Sequence, residues 1–253
     1  MFSKILKCLI NNKYKRMKRL FTNIILFAFT MIAFGQQSIG VKLNGGLSYL
    51  KKEIIMNPPV PMTQEFYPVL SGQGGLTYSY CYKNKFLLGT ELIYSQIEGK
   101  GYLKTPSSVI NGVFSNEYIT NNSLQHIYYL GVPIYFGFIY KKLNINLGVQ
   151  TNFALASGGL EKIQASYDGE LISYDIKKDD LGINKVDFGA RLGLFYRLSD
   201  KFSIEANYYC GLTNLLKNKS LFDSPIWQVQ QLTIGLRYNL FIFDRKIGET
   251  KNK

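Results

Sequence analysis

The only histidine of the chain, His126, stands three residues after Ser123 and two before Tyr128. An imidazole within reach of a hydroxyl is the minimal arrangement for acyl transfer, because the ring can take the proton of an attacking oxygen. No carboxylate accompanies these residues in sequence to orient the ring, and an interfacial aromatic belt accounts for the same His. Asp179-Asp180 are adjacent carboxylates, but Lys177-Lys178 precede them, which describes a solvated turn. No ligand spacing supports calcium there. Gly72, Gly74 and Gly75 fall inside a strand pattern, where glycine marks close packing or a bend rather than a phosphate loop. One His and no CxxC pair leave no structural zinc set. The reading is therefore no enzyme, no cofactor and no metal. Its competitor is a lipid-modifying enzyme centred on His126.

A second set of charges sits where apolar residues recur. Lys42, Glu91, Asp187, Arg191, Arg197, Glu205 and Arg237 each lie in a segment that alternates apolar and polar positions, the mark of a strand with one apolar face. Ile39, Val41, Leu43, Leu47 and Tyr49 share one face, with Lys42, Asn44, Gly46 and Ser48 on the other. Leu70, Leu76, Tyr78, Tyr80 and Tyr82 oppose Ser71, Gln73, Gly75, Thr77 and Ser79. Phe86, Leu88, Leu92 and Tyr94 oppose Gly89, Glu91 and Ser95. Between Leu124 and Tyr140, the apolar face runs from Tyr128 to Phe138 and opposes Gln125, Tyr129, Pro133 and Tyr135. Four further strands follow the same rule from Leu143, Val186, Phe202 and Leu232. Each of the eight is near or above the roughly 9–11 residues that cross a bilayer as a tilted strand. Pro133 lacks a ladder donor, so a β-bulge or local irregularity is expected there.

The connections alternate as well. Lys83-Asn84-Lys85, Lys141-Lys142 and Ser199-Asp200-Lys201 are short turns, whereas 51–68, 97–123, 157–184 and 213–228 read as long loops. Short turns on one rim, long loops on the other and aromatics crowding the turns describe an outer-membrane barrel with both termini in the periplasm. The predicted fold is all-β, an eight-stranded antiparallel transmembrane β-barrel over residues 36–243. A soluble secreted sandwich or ligand-binding barrel also alternates, but it turns the apolar face inward. The Gly and small polar residues on the other face here suit a narrow lumen. Side chains just fill an eight-stranded lumen, which excludes a wide pore. Charges inside it must be paired. The expected structural plug joins Glu205, Arg197 and Arg237, with Glu91 and Arg191 farther toward the outer end; a gated path for a small solute is the alternative. Cys81 and Cys210 fall on opposite faces, so no disulfide is expected between them.

Residues 1–35 carry seven basic and no acidic residues, then an apolar run from Leu20 to Ile32, then Ala33-Phe34-Gly35. This is the layout of a cleavable signal peptide, with Met17 an alternative start. An N-terminal anchor helix is disfavoured by the short apolar run. Of the 30 basic residues, 23 remain beyond the leader against 17 acidic ones, so the net charge of +13 falls to +6. The remaining cations are scattered, without a basic aromatic stripe, and nucleic acid is not an expected partner. Outer-membrane lipid is, with envelope proteins meeting the long loops, above all 97–123 and 157–184. Residues 244–253 form a charged tail.

Three motifs carry a family likeness: Tyr129-Leu130-Gly131-Val132-Pro133; Ile39-Gly40-Val41-Lys42 with Gly45-Gly46; and the hairpin from Leu198 to Glu205 leading to Tyr208 and Gly211-Leu212-Thr213-Asn214. Taken in chain order they resemble the PorT-like family of small outer-membrane β-barrel proteins of Gram-negative envelopes. Gly131 replaces an acidic residue often found before the Val-Pro, and the charged tail follows Phe243, near which such barrels usually end. The resemblance implies an outer-membrane barrel with a structural or interaction role. One branch of the family serves type IX protein secretion.

Overall fold

The computed structural model describes residues 35–53, 63–106, 109–110, 113–114, 117–167, 170–216 and 226–243. The expected signal peptide (apart from Gly35) and the charged tail lie outside the described residues. The strands are β1 (Gln36–Glu53), β2 (Thr63–Tyr82), β3 (Phe86–Pro106), β4 (Val109–Ile110), β5 (Val113–Phe114), β6 (Tyr118–Tyr140), β7 (Leu143–Tyr167), β8 (Glu170–Lys178), β9 (Val186–Arg197), β10 (Phe202–Gly211) and β11 (Ile226–Phe243). Eight of them, β1, β2, β3, β6, β7, β9, β10 and β11, pair antiparallel with their neighbours, and β1 pairs with β11 to close the ring. Closure removes the unpaired edges that an open sheet would present to lipid.

The alternation sorts as expected. Leu43, Leu76, Leu147 and Ile234 point outward and are exposed, while Lys42, Thr77, Asn146 and Thr233 point inward and are buried. An apolar exterior around a polar interior is the membrane form of the barrel, and the soluble reading is set aside. Cys81 is buried inside and Cys210 half-buried; both are free thiols. The short turns are stitched to the next strand: the carbonyls of Lys85, Lys142 and Lys201 accept from Ile139, Arg197 and Asn239 at 2.7–2.8 Å. Lys83 and Asn84 both adopt the left-handed region, at φ 51° and 55°, as a primed hairpin turn requires.

Two of the expected long loops are mostly strand. β3 runs on to Pro106, β6 begins at Tyr118, β7 continues to Tyr167, and β8 folds back along it from Gly159↔Lys178 to Tyr167↔Glu170. Together with Thr63–Pro68 of β2, these segments form a five-stranded sheet beyond the barrel. Outside the bilayer both faces of a strand meet water, so the period-two signal that marks the spans fades. Register shifts at Pro68/Gly72 and at Tyr128/Tyr129 mark where this sheet leaves the barrel wall. β9 and β10, with 12 and 10 residues, have no such extension.

Pro133 produces no register shift of its own. The β3–β6 ladder lapses between Thr90↔Ile134 and Ile93↔Gly131 and resumes in the same register. The Thr90 hydroxyl donates to the Pro133 carbonyl at 2.9 Å. The neighbouring bulge falls instead opposite Tyr128 and Tyr129, with Leu155 the extra residue.

Two lumenal tyrosines lie over glycines of the next strand, covering backbone that has no side chain of its own. A Cβ on Gly89 would stand 2.3 Å from the Tyr135 ring, and one on Gly189 would stand 2.6 Å from that of Tyr209. Gly89→Val is expected to displace Tyr135 and cost about 1–3 kcal/mol by overpacking. Urea unfolding in detergent, read as loss of the fast-migrating folded band, measures it. A midpoint equal to wild type would show that the ring has somewhere else to go.

Candidate functional site in the barrel lumen

β1, β3, β9, β10 and β11 each send one charged side chain to the same level of the lumen. Lys42 Nζ lies 2.9 Å from Glu91 Oε2 and 2.8 Å from Glu205 Oε1. Arg191 Nη1 reaches Glu91 Oε2 at 2.9 Å, and Arg237 Nε reaches Glu205 Oε2 at 3.0 Å. Arg237 Nη2 also bonds Glu91 Oε1. Neutral groups take up the remaining valences. Asn44 and Asn207 donate to Glu205 Oε1 at 2.6 and 3.0 Å, and Arg191 Nη2 donates to Asn207 at 2.7 Å. The Tyr135 hydroxyl donates to Glu91 and accepts from Arg237, each at 3.1 Å. Burial is close to complete, with Glu205 at 0% and Arg191 at 2% exposure. Isolated, each charge would cost several kcal/mol there; joined, they form a plug of three cations and two carboxylates.

Of the five plug residues expected from sequence, the structure brings Glu91, Arg191, Glu205 and Arg237 into one cluster rather than two tiers. It adds Lys42, whose inward phase was legible but whose reach to carboxylates on β3 and β10 depends on ring closure. Lys42 and Arg237 are direct cross-strand partners, two like charges held side by side by the carboxylates around them. Arg197 does not join and is a correction. It pairs with Ser203, one step nearer the turn, and is exposed. The partner opposite Glu205 is Phe195, whose ring lies 4.3 Å from the Arg237 guanidinium and edge-on to Tyr135. That ring, an inward apolar residue in a polar phase, separates Arg197 from the cluster.

Above the ions lies a polar layer. Gln73 donates to Thr233 at 2.8 Å and Gln150 to Asn152 at 2.8 Å, around a void of about 10 Å³ at the lower limit for one water. Asp187, fully buried, accepts from the hydroxyls of Tyr209 at 2.6 Å and Thr213 at 2.5 Å. Toward the outer mouth the lumen turns apolar: Leu50, Ile97, Ile127, Ile183, Leu215, Trp227 and Val229 pack into one cluster. Ile183 and Leu215 come from the β8–β9 and β10–β11 connections, folded inward. Asn214 fastens them, its side-chain oxygen accepting from Leu216 and Trp227 at 3.1 and 3.0 Å. Inward-phase apolar residues at 50, 97, 127 and 229 were the available sequence signal for this second plug.

His126 and Ser123 do not meet: being three positions apart on β6, they leave opposite faces of the strand. His126 lies 5.6 Å from the Tyr128 ring and borders an outer-surface cavity of about 360 Å³ with Lys177, Lys178 and Asp179. Glu98 stands across from it on β3, with its carboxylate bonded by Gln96. Among the described residues no group of three or more His, Cys, Asp or Glu is placed to hold a metal ion.

No curated protein matches the sequence. Solved barrels similar to this one are distant. Neisserial surface protein A is 11% identical, covering 81% of this chain and 98% of its own at a TM-score of 0.37. The attachment invasion locus protein Ail of Yersinia pestis is 17% identical, covering 83% and 99% at 0.34. OprG of Pseudomonas aeruginosa is 13% identical, covering 84% and 97% at 0.34. None is near enough to bear on function. The family model described as outer membrane protein β-barrel domain matches residues 34–217. That span is most of a chain whose eight strands close with their apolar side outward, and the protein accordingly resides in the outer membrane and belongs to the outer membrane protein β-barrel domain family.

Proposed function

We propose that the protein is a sealed outer-membrane scaffold with a structural or protein-interaction role, serving as an accessory to type IX protein secretion as in the PorT-like branch it resembles. The observation that carries this reading is the pairing of a lumen plugged at two levels with a wall that continues past the membrane as a five-stranded sheet. A transport path has no room through the ion cluster and the apolar plug. A recognition surface, by contrast, is well provided. Among the described residues β8 pairs only with β7, which leaves its other backbone edge open, and Leu171, Ile172 and Tyr174 are 50–69% exposed along it. Exposed edges of this kind accept an added strand from a partner. No reaction is assigned, because His126 and Ser123 face apart.

A photo-crosslinking residue at Tyr174 in living cells is expected to give a discrete protein adduct, while one at Leu192 on the lipid face gives none. Loss of the gene is expected to lower release of type IX cargo. A chain that crosslinks to nothing at Tyr174 and whose loss leaves secretion intact would refute the proposal.

A further inference from the structure

The periplasmic end of the lumen holds a cavity of about 90 Å³ below the ion cluster. Its wall includes Lys142 and Arg197 at the rim, Arg237 at the inner end, and Ser203 and Asn144 between, with Asp200 the one carboxylate. Asn144 is 6% exposed, and its side-chain Nδ2 is buried without a hydrogen-bond partner among the described residues. A buried donor left unmade costs about 1–3 kcal/mol, so such groups generally have a partner. Lys142 and Arg197 form no ion pair among the described residues, with the Asp200 carboxylate or any other. The nearest buried charges add to the same sign, because Lys42, Arg191 and Arg237 outnumber Glu91 and Glu205 by one. Asp187, which would restore the balance, lies beyond Arg191 along β9, on the far side of the cluster.

We infer that this mouth is a binding site for one small soluble oxyanion, a phosphate or carboxylate, entering from the periplasm. Arg197 and Lys142 draw it in, and Asn144 Nδ2 supplies a donor on the wall between the rim and Arg237. The volume holds several waters or one such group and is too small for a nucleotide. A narrow cleft of net positive charge between low-dielectric walls concentrates its counter-ion about 10-fold or more. The site is separate from the sheet edge of the interaction reading, so either can fail alone.

Cys81 lines the cavity and reports on it. In folded protein carrying Cys8→Ser and Cys210→Ser, a methanethiosulfonate bearing a sulfonate is expected to label Cys81 about tenfold faster than one bearing trimethylammonium, each rate taken relative to that with a small free thiol. Inorganic phosphate should slow the sulfonate reagent more than chloride at equal ionic strength. Arg197→Gln with Lys142→Gln should bring the ratio near one. A ratio of one or less in the parent, or one untouched by the substitutions, overturns the assignment. Independently of labelling, the folded band should survive to a higher temperature in phosphate than in chloride at equal ionic strength. Arg197→Gln alone should shrink that difference, and equal melting in the two salts also overturns it. Stabilisation by phosphatidylglycerol vesicles but not by inorganic phosphate would assign the mouth to lipid and reject a soluble anion.

Discussion

Glu91→Ala is expected to lower the unfolding free energy by about 3–5 kcal/mol, the range found when one member of a buried ion pair is removed. Glu91 touches all three cations of the plug. Without it, Lys42 and Arg237 must share Glu205, and Arg191 keeps only its bond to Asn207. The loss is dominated by stranded charge rather than by missing contact area. A control separates the two. Lys42→Met removes a charge from the side in excess and conserves volume, so it should cost less than about 1.5 kcal/mol. Urea titrations of folded protein in lipid vesicles, read by the heat-modifiable band, give both values. Equal costs for the two variants would mean that the cluster is held by packing and that its charge balance is irrelevant.

Ile127→Ala is expected to cost about 2–5 kcal/mol and to open the outer plug to water. Ile127 is wholly buried in the same cluster as Trp227, the only tryptophan of the chain. Its indole therefore reports the plug without further labelling. The variant should shift tryptophan emission to the red and lower the urea midpoint together. Emission and midpoint that both stay at the wild-type values would show that the inward-folded connections close over the gap.

The spans were legible because lipid on one side and a narrow polar lumen on the other impose opposite demands on successive residues. Leu43 and Lys42, or Leu92 and Glu91, carry that contrast plainly. Where the contrast ends the reading failed. Lys162, Gln164 and Ser166 of β7 stand among residues wetted on both faces, and the segment read as loop. The plug was half legible. Inward phase identified Glu91, Arg191, Glu205 and Arg237, and it also identified Arg197, because phase says nothing about depth. Depth is decided by Phe195, one step along the same face. Lys42 needed knowledge that the first and last strands are neighbours. Thr213 and Asn214 stood inside a motif that resembles other barrels, yet their work, fastening Asp187 and the inward connections, depends on contacts between distant segments.

The side-by-side placement of Lys42 and Arg237 bears on how the molecule is assembled. These residues sit on β1 and β11, the first and last strands of the barrel, whose pairing closes the ring. Two like charges directly opposite on paired strands repel. Bringing the termini together before the wall is complete therefore works against itself. Once β3 and β10 are in place, Glu91 and Glu205 flank the pair and turn repulsion into attraction. The final zip of the ring is thus conditional on the rest, and a partly built barrel is discouraged from sealing around missing strands.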